Sequence, residues 1–99
     1  MITAQYVNRR LAGRIREART IAGLTQQQVA DRAELSRASV ANIELGMQAV
    51  TVHQLLLLSR ALSVDPISLV PTLEEVDMHD PDDALIAKEA KRVVAAPAT

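Results

Sequence analysis

The 99-residue sequence contains no cysteine, tryptophan or phenylalanine, and Tyr6 is its only aromatic residue. The lack of cysteine excludes disulfides and thiolate metal sites, and it is compatible with the reducing cytoplasm, where we expect the protein to lie. Without aromatic side chains, the core must be built from leucine, isoleucine, valine and alanine. Such a composition favours packed helices over a sheet, and a chain of this length can bury a single core.

Long apolar segments are also absent. The run of leucines at Leu55–Leu58 is far too short to cross a bilayer, which takes about 20 residues. The first ten residues have no apolar stretch ahead of a cleavage site, so we expect no signal peptide. The sequence therefore predicts no membrane partner.

Charge is unevenly distributed along the chain, although the net charge is only −1. Residues 1–70 carry eight arginines against five acidic residues, which gives +3. Residues 71–99 carry seven acidic residues against three basic ones, which gives −4. A mildly basic body with an acidic tail is compatible with a polyanionic partner for the body.

The spacing of apolar residues predicts five helices in residues 7–70. The second opens with a capping box, in which Thr25 and Gln28 exchange hydrogen bonds with each other's backbone. Glu34 and Leu35 then interrupt the pattern before a third helix, whose residues Val40 and Ile43 point inward. Buried apolar faces are also expected at positions 7, 11, 15, 18 and 22 of the first helix and at 52, 55, 58, 61 and 62 of the fourth. The residues expected to cap, start or end helices are Gly23, Thr25, Ser36, Gly46, Thr51, Asp65 and Pro66.

The order of these patterns resembles the Xre/Cro family of helix-turn-helix transcriptional regulators, the lambdoid phage repressor-like domains. The resemblance covers about residues 8–70. It rests on T-Q-x-x-V-A at 25–30, S-x-x-S-V-x-x-I-E-x-G at 36–46, T-x-x-x-L-L-x-L-x-x-A-L at 51–62 and V-D-P at 64–66. It implies an all-α fold, a five-helix bundle in which the second helix crosses the DNA backbone and the third enters the major groove.

The resemblance also implies a set of site residues. Gln26 would contact a phosphate and brace the start of the third helix, while Arg19 and Glu44 would form a structural ion pair. Arginine can bond guanine O6 and N7, asparagine can bond adenine N6 and N7, and an alanine methyl can rest on that of thymine. Arg37, Ala38 and Asn42 are therefore the candidate base-reading residues. The full set of candidate DNA-binding residues is Thr25, Gln26, Ser36, Arg37, Ala38, Ser39, Asn42 and Gln48.

Two features depart from the family pattern within the helical region. Residues 47–50 carry no charge where many relatives have phosphate-binding lysine or arginine, so we expect weak non-specific DNA binding with a shallow salt dependence. Leu57 stands at a position that is usually polar. It can be a lone exposed leucine or a subunit contact shared with Ile67 or Val70.

The predicted domains are residues 1–71, which bind DNA, and residues 72–99, an acidic linker with an extra helix at 82–94. Residues 74–83 are acidic, contain a proline and are typical of a linker. The apolar face of the tail helix could dock on another subunit or on a separate protein partner. Alternatively, the acidic residues could screen the basic body. The residues of that face are Ile86, Ala90, Val93 and Val94.

The resulting hypothesis is that this protein is a repressor, and that it binds double-stranded DNA at a palindromic operator as a homodimer. Two alternatives stay open: the antitoxin of a toxin–antitoxin pair, whose tail neutralises a toxin, and a protein-binding adaptor without DNA contact. No catalytic constellation accompanies Ser36 or Ser39, and His53 and His79 lack a ligand set at metal spacing. We therefore expect no enzymatic activity, metal or cofactor.

Overall fold

The computed structural model describes residues 1–77, which are entirely helical apart from the connections. Its helices are α1 (Ala4–Ala22), α2 (Gln26–Ala33), α3 (Arg37–Glu44), α4 (Val52–Leu62), α5 (Pro66–Leu69) and α6 (Leu73–Asp77). The first five confirm the predicted all-α bundle. α6 was not predicted.

Hydroxyl side chains define where the inner helices begin. The hydroxyls of Thr25, Ser36 and Thr51 accept the backbone N–H three residues further on, at 3.1, 3.0 and 3.1 Å. Gln28 completes the predicted capping box of α2, and Gln54 forms an equivalent box at α4. A hydroxyl cap contributes about 1 kcal/mol of stability. The local sequence therefore fixes the start of each of these helices.

The turn between α2 and α3 depends on a left-handed residue. Glu34 has φ 58°, and the N–H of Leu35 bonds the carbonyl of Ala30 at 2.9 Å. This geometry closes α2 and redirects the chain within three residues. The half-buried Leu35 packs on the core and fixes the direction in which α3 leaves.

The core lies between α1 and the other four helices of the predicted bundle. Ile15, Val29, Val40, Ile43 and Leu58 are each at most 1% exposed. Burial of each of these side chains stabilises the fold by about 1.5–3 kcal/mol. The buried apolar faces of α1 and α4 are shorter than the sequence predicts, since Ala22 and Val52 are exposed. These two residues are the last of α1 and the first of α4, and lie beyond the layer that the facing helices cover.

The expectation that Leu57 lies exposed was wrong. Leu57 is half-buried and packs against the core, while Leu56 is 52% exposed. Successive residues of a helix are rotated by about 100°, so Leu56 lies almost opposite the fully buried Leu58. Leu57 therefore contributes to this chain's own core, and its role as a subunit contact stays a prediction.

The acidic stretch from Glu74 to Asp77 is not a linker. It lies in α6, whose Val76 is 3% exposed and whose Glu75 accepts a hydrogen bond from Arg10 at 3.1 Å and another from Arg14. The backbone N–H of Glu75 bonds the Thr72 hydroxyl at 3.2 Å. Residues 73–77 therefore pack with the bundle, beyond the boundary that the sequence predicts at residue 71. The candidate contacts Ile86, Ala90, Val93 and Val94 and the predicted helix at 82–94 lie outside the described residues.

Glu75 makes the packing of α6 pH-dependent. Its hydrogen bonds from Arg10 and then Arg14 hold the pKa of Glu75 below its ordinary value. A carboxyl whose pKa is lower in the folded state stabilises the fold above its unfolded pKa, about 4.3, and loses that contribution as the pH falls through the folded value. We therefore expect wild-type protein to be more stable than Glu75→Gln at pH 7, with the difference closing below about pH 4.

Urea unfolding at pH 7 and pH 3 measures this difference. Glu17→Gln, which removes an exposed carboxylate from α1, is the control. If the free energies of unfolding of wild type and Glu75→Gln differ by the same amount at both pH values, the charged Glu75 carboxylate does not stabilise the packing of α6.

Within residues 1–77, no single helix is long and apolar enough to cross a membrane. In this part of the chain, one pair of helical segments, α4 and Pro66–Asp77, has sufficient length and apolar composition when taken together, and the two segments are bent by 104° relative to each other.

Candidate nucleic-acid interface

α3 has one buried face and one free face. Val40 and Ile43 anchor it in the core, while Arg37, Ala38 and Asn42 are exposed on the other side. In the part of the chain that the structure describes, the side chains of Arg37 and Asn42 make no intramolecular hydrogen bond. Their donors and acceptors are therefore available to a ligand that approaches this face.

The N-termini of α2 and α3 present additional donors. The first N–H groups of a helix have no intrahelical partner, and the positive end of the helix dipole favours an anion there. Thr25 and Ser36 each use a hydroxyl lone pair to cap a helix, which leaves the hydroxyl proton free to donate. Gln26 follows at the head of α2, and the half-buried Ser39 follows in the first turn of α3. These groups are suited to hold phosphate oxygens.

An ion-pair network fixes α3 relative to α1. Arg19 donates from Nε to one carboxylate oxygen of Glu44 at 2.7 Å and from Nη2 to the other at 3.0 Å. Its Nη1 bonds the carbonyl of Leu24 at 3.0 Å. The hydrogen bonds to Glu44 raise the pKa of Arg19. The Glu44 side chain is 4% exposed, so the network holds the end of α3 in place largely out of solvent.

Gln26 joins this network in an unexpected way. Its amide donates to Glu44 at 3.2 Å. Gln26 therefore braces the end of α3, whereas the resemblance implies a brace at its start. The reason is that the carboxylate of Glu44 offers a charged acceptor with lone pairs left over from Arg19. The head of α2, the end of α3 and α1 are thereby linked at one point.

The loop after α3 lacks any positive charge. Gln48 is half-buried there and has no hydrogen-bond partner within residues 1–77. Met47 is 76% exposed. Sequence reasoning assigned no positive group to this side of α3, but the structure places two arginines of α1 beside it. Arg9 lies against Gly46, and Arg16 lines a small cavity with Gln26 and Ala41.

An apolar groove occupies a different face of the bundle. Its volume is about 840 Å³, and it lies between α1, the end of α4, α5 and the chain leading into α6. The candidate contact residues Ile67 and Val70 line it, with exposures of 77% and 41%. Ile21 of α1 is 79% exposed on the same groove. The structure thus brings the two predicted contact residues together with a third that sequence reasoning missed.

The described residues hold no cluster typical of metal chemistry. No group of three or more histidine, cysteine, aspartate or glutamate residues within 1–77 is arranged to hold a metal ion. His53 is exposed on α4, and His79 lies outside the described residues.

Solved structures of three proteins that are named as regulators have a similar fold. The restriction-modification controller protein C.AhdI from Aeromonas hydrophila is 32% identical with a TM-score of 0.64, covering 66% of this chain and 94% of that one. The hypothetical transcription factor NHTF from Neisseria is 23% identical with a TM-score of 0.65, covering 74% and 84%. The clp gene regulator ClgR from C. glutamicum is 21% identical with a TM-score of 0.62, covering 64% and 82%. The last two likenesses show the fold alone.

The family comparison covers the same region. A helix-turn-helix family model matches residues 15–69, more than half of the chain. A comparison with curated protein sequences gives no significant match. The matched region contains α2, α3 and the core residues that fix them. The chain therefore belongs to the helix-turn-helix family of the Xre and lambda-repressor type, and it is a DNA-binding transcription regulator.

Proposed function

We propose that this protein is a cytoplasmic repressor that binds a palindromic operator as a homodimer, with α3 in the major groove. The single observation that carries the proposal is the free face of α3. Arg37, Ala38 and Asn42 are exposed there, on a helix whose opposite face is buried and whose end the Arg19–Glu44 pair fixes. A rigid helix with unpaired polar side chains is what base readout requires.

The base-reading assignment follows from donor and acceptor geometry. Arg37 is the first residue of α3 and lies at the N-terminal end of the helix, the end that contacts base edges in this fold class. The paired donors of its guanidinium match O6 and N7 of guanine. Asn42 lies more than one turn later and matches adenine. The methyl of Ala38 matches that of thymine. Thr25, Gln26, Ser36 and Ser39 would hold phosphates on either side and set the register. Gln48 is a further candidate at the edge of the same surface.

Dimerisation follows from the small footprint of one such domain. A single recognition helix contacts only a few base pairs, too few to select one site among the competitors in a genome. Two copies related by a two-fold axis would place two α3 helices about 34 Å apart, one turn of DNA. The exposed apolar residues Ile21, Ile67 and Val70 supply a surface for such a contact.

Ile67→Glu is expected to convert the dimer to a monomer, because it places a charge among the exposed apolar residues of this surface. Since Ile67 is 77% exposed, stability should change by no more than about 0.5 kcal/mol. Sedimentation equilibrium measures the change in mass. Met47→Glu is the matched control, since Met47 is 76% exposed but lies in the loop after α3. A variant at position 67 that keeps the wild-type mass would contradict this interface.

Selection of duplexes from a random-sequence library, at physiological salt and followed by sequencing, tests the proposed function. A palindrome with half-sites spaced by about 10 base pairs is the expected result. A motif without symmetry would contradict the dimer. No enrichment at any salt would contradict DNA reading and favour the adaptor alternative.

A further inference from the structure

We infer that α1 supplies the phosphate clamp that the loop after α3 lacks, through the side chains of Arg9 and Arg16. This inference rests on the proposed DNA-binding function and adds residues that the family pattern quoted above does not contain.

Three of the five arginines of α1 are already occupied. Arg10 and Arg14 bond Glu75, and Arg19 bonds Glu44. Arg9 and Arg16 have no carboxylate partner within residues 1–77. The guanidinium of Arg9 lies 5.9 Å from the centroid of the Tyr6 ring, a contact that leaves its hydrogen-bond donors free. Two full positive charges on α1 are thus unneutralised by the protein itself.

These two arginines share one face of α1. Seven residues separate them, which is close to two helical turns and about 10 Å along the axis. Arg10 and Arg14 lie on another face, rotated from Arg9 by about 100–140°. The free charges of Arg9 and Arg16 therefore lie on one side of the helix, and the neutralised Arg10 and Arg14 lie on the side that packs on α6. The third neutralised arginine, Arg19, pairs with Glu44 of α3.

The free face of α1 borders α3. A Cβ at Gly46 would lie 2.8 Å from Cγ of Arg9 and 3.3 Å from its Cα, so α1 is in contact with the chain two residues after the end of α3. Arg16 lines a cavity of about 220 Å³ together with Gln26, Ala41 and Leu45. It therefore lies between the head of α2 and the second half of α3, on the side from which Gln26 would meet a phosphate.

The glycine after α3 is consequently required for two reasons. Gly46 has φ 73°, a conformation that costs other residues roughly 1–2 kcal/mol, and any side chain there would displace Arg9. A basic residue cannot be accommodated at this position. The next four residues carry no charge. The positive charge near the end of α3 therefore comes from α1.

The experiment measures the salt dependence of binding to the duplex selected above. Each phosphate contact contributes about 0.9 to the slope of log K against log salt concentration. Because a symmetric dimer carries each arginine twice, we expect Arg9→Gln and Arg16→Gln each to remove two phosphate contacts and to lower that slope by about 1.8, and the double variant by about twice as much. Affinity for selected and random duplexes should fall in parallel, which leaves base preference unchanged. Fluorescence anisotropy titrations between about 50 and 200 mM salt resolve these slopes.

Two sets of control variants show whether a lower slope reflects lost phosphate contacts, a general loss of positive charge or a disturbed fold. Arg32→Gln removes the same charge from an exposed arginine at the opposite end of α2 from Gln26, and it should leave the slope nearly unchanged. Arg9→Lys and Arg16→Lys keep the charge and should keep the slope. Thermal unfolding of every variant checks the fold.

The outcomes distinguish this inference from the function on which it rests. If wild type selects a motif but the double variant keeps the wild-type slope, or if Arg32→Gln lowers the slope equally, the clamp is wrong and base reading stands. If wild type binds no duplex at any salt, both are wrong.

Discussion

Glu44→Ala is expected to lower the free energy of unfolding by about 3 kcal/mol, near the lower end of the range for breaking a buried ion pair. The Glu44 side chain is 4% exposed and that of Arg19 is 18% exposed, so neither group is well solvated. Removal of the carboxylate leaves the guanidinium of Arg19 with one carbonyl partner and leaves the amide of Gln26 without its acceptor. α3 would then lose its fixed position relative to α1.

Urea denaturation at pH 7 measures this loss as a lower midpoint at an unchanged m-value. Arg60→Ala is the matched control, since Arg60 pairs with Glu34 at 3.4 Å and both side chains are about 70% exposed. That substitution should cost less than about 1 kcal/mol. An equal loss in the two variants would show that the Arg19–Glu44 pair is effectively solvated.

A double substitution separates two contributions to the free energy of unfolding: the cost of leaving one buried charge without its partner, and the net contribution of the ion pair. Replacing a buried ion pair by apolar residues of similar size is often neutral. Arg19→Met combined with Glu44→Leu should therefore recover most of the stability lost in Glu44→Ala. DNA binding should not recover fully, because the brace on Gln26 is absent in the double variant.

The helix starts could be predicted because they depend on local chemistry. Thr25, Ser36 and Thr51 each cap the backbone three residues further on, so each signal lies within a four-residue window. The T-x-x-E pattern at Thr72–Glu75 is the same kind of signal, and its acidic surroundings masked it. The stability of α6 also depends on arginines more than 60 residues earlier in the chain, which no local pattern shows.

The orientation of individual side chains was harder to predict. Helical spacing assigns two of the four consecutive leucines, Leu55 and Leu58, to the buried face, but it does not decide which of Leu56 and Leu57 faces outward. Gln26 was placed in the interface, but its bond to Glu44 is a tertiary contact across 18 residues. Arg9 and Arg16 share a helix face in the sequence pattern too. Their importance appears only when Gly46 and α3 are seen beside them.

Arg37→Ala is expected to produce the largest functional effect, a loss of operator affinity of about 2–6 kcal/mol. A bidentate contact to guanine is worth about 1–3 kcal/mol, and a symmetric dimer makes it in both half-sites. Asn42→Ala should lose a similar amount at the adenine it contacts. Neither side chain contributes to the core, so stability should stay within about 0.5 kcal/mol of wild type.

Titration of each variant against operators with single base changes assigns the contacts. At the base pair read by Arg37, wild type should discriminate strongly and Arg37→Ala should bind all four pairs alike, while discrimination at the Asn42 position is kept. Arg32→Ala, with the same change in charge on α2, should preserve both preferences. If Arg37→Ala instead weakens every duplex equally and lowers the salt slope by about 1.8, which is one phosphate contact in each half-site, Arg37 contacts a phosphate. The sequence would then be read by other residues of the same face, with Asn42 the first to test.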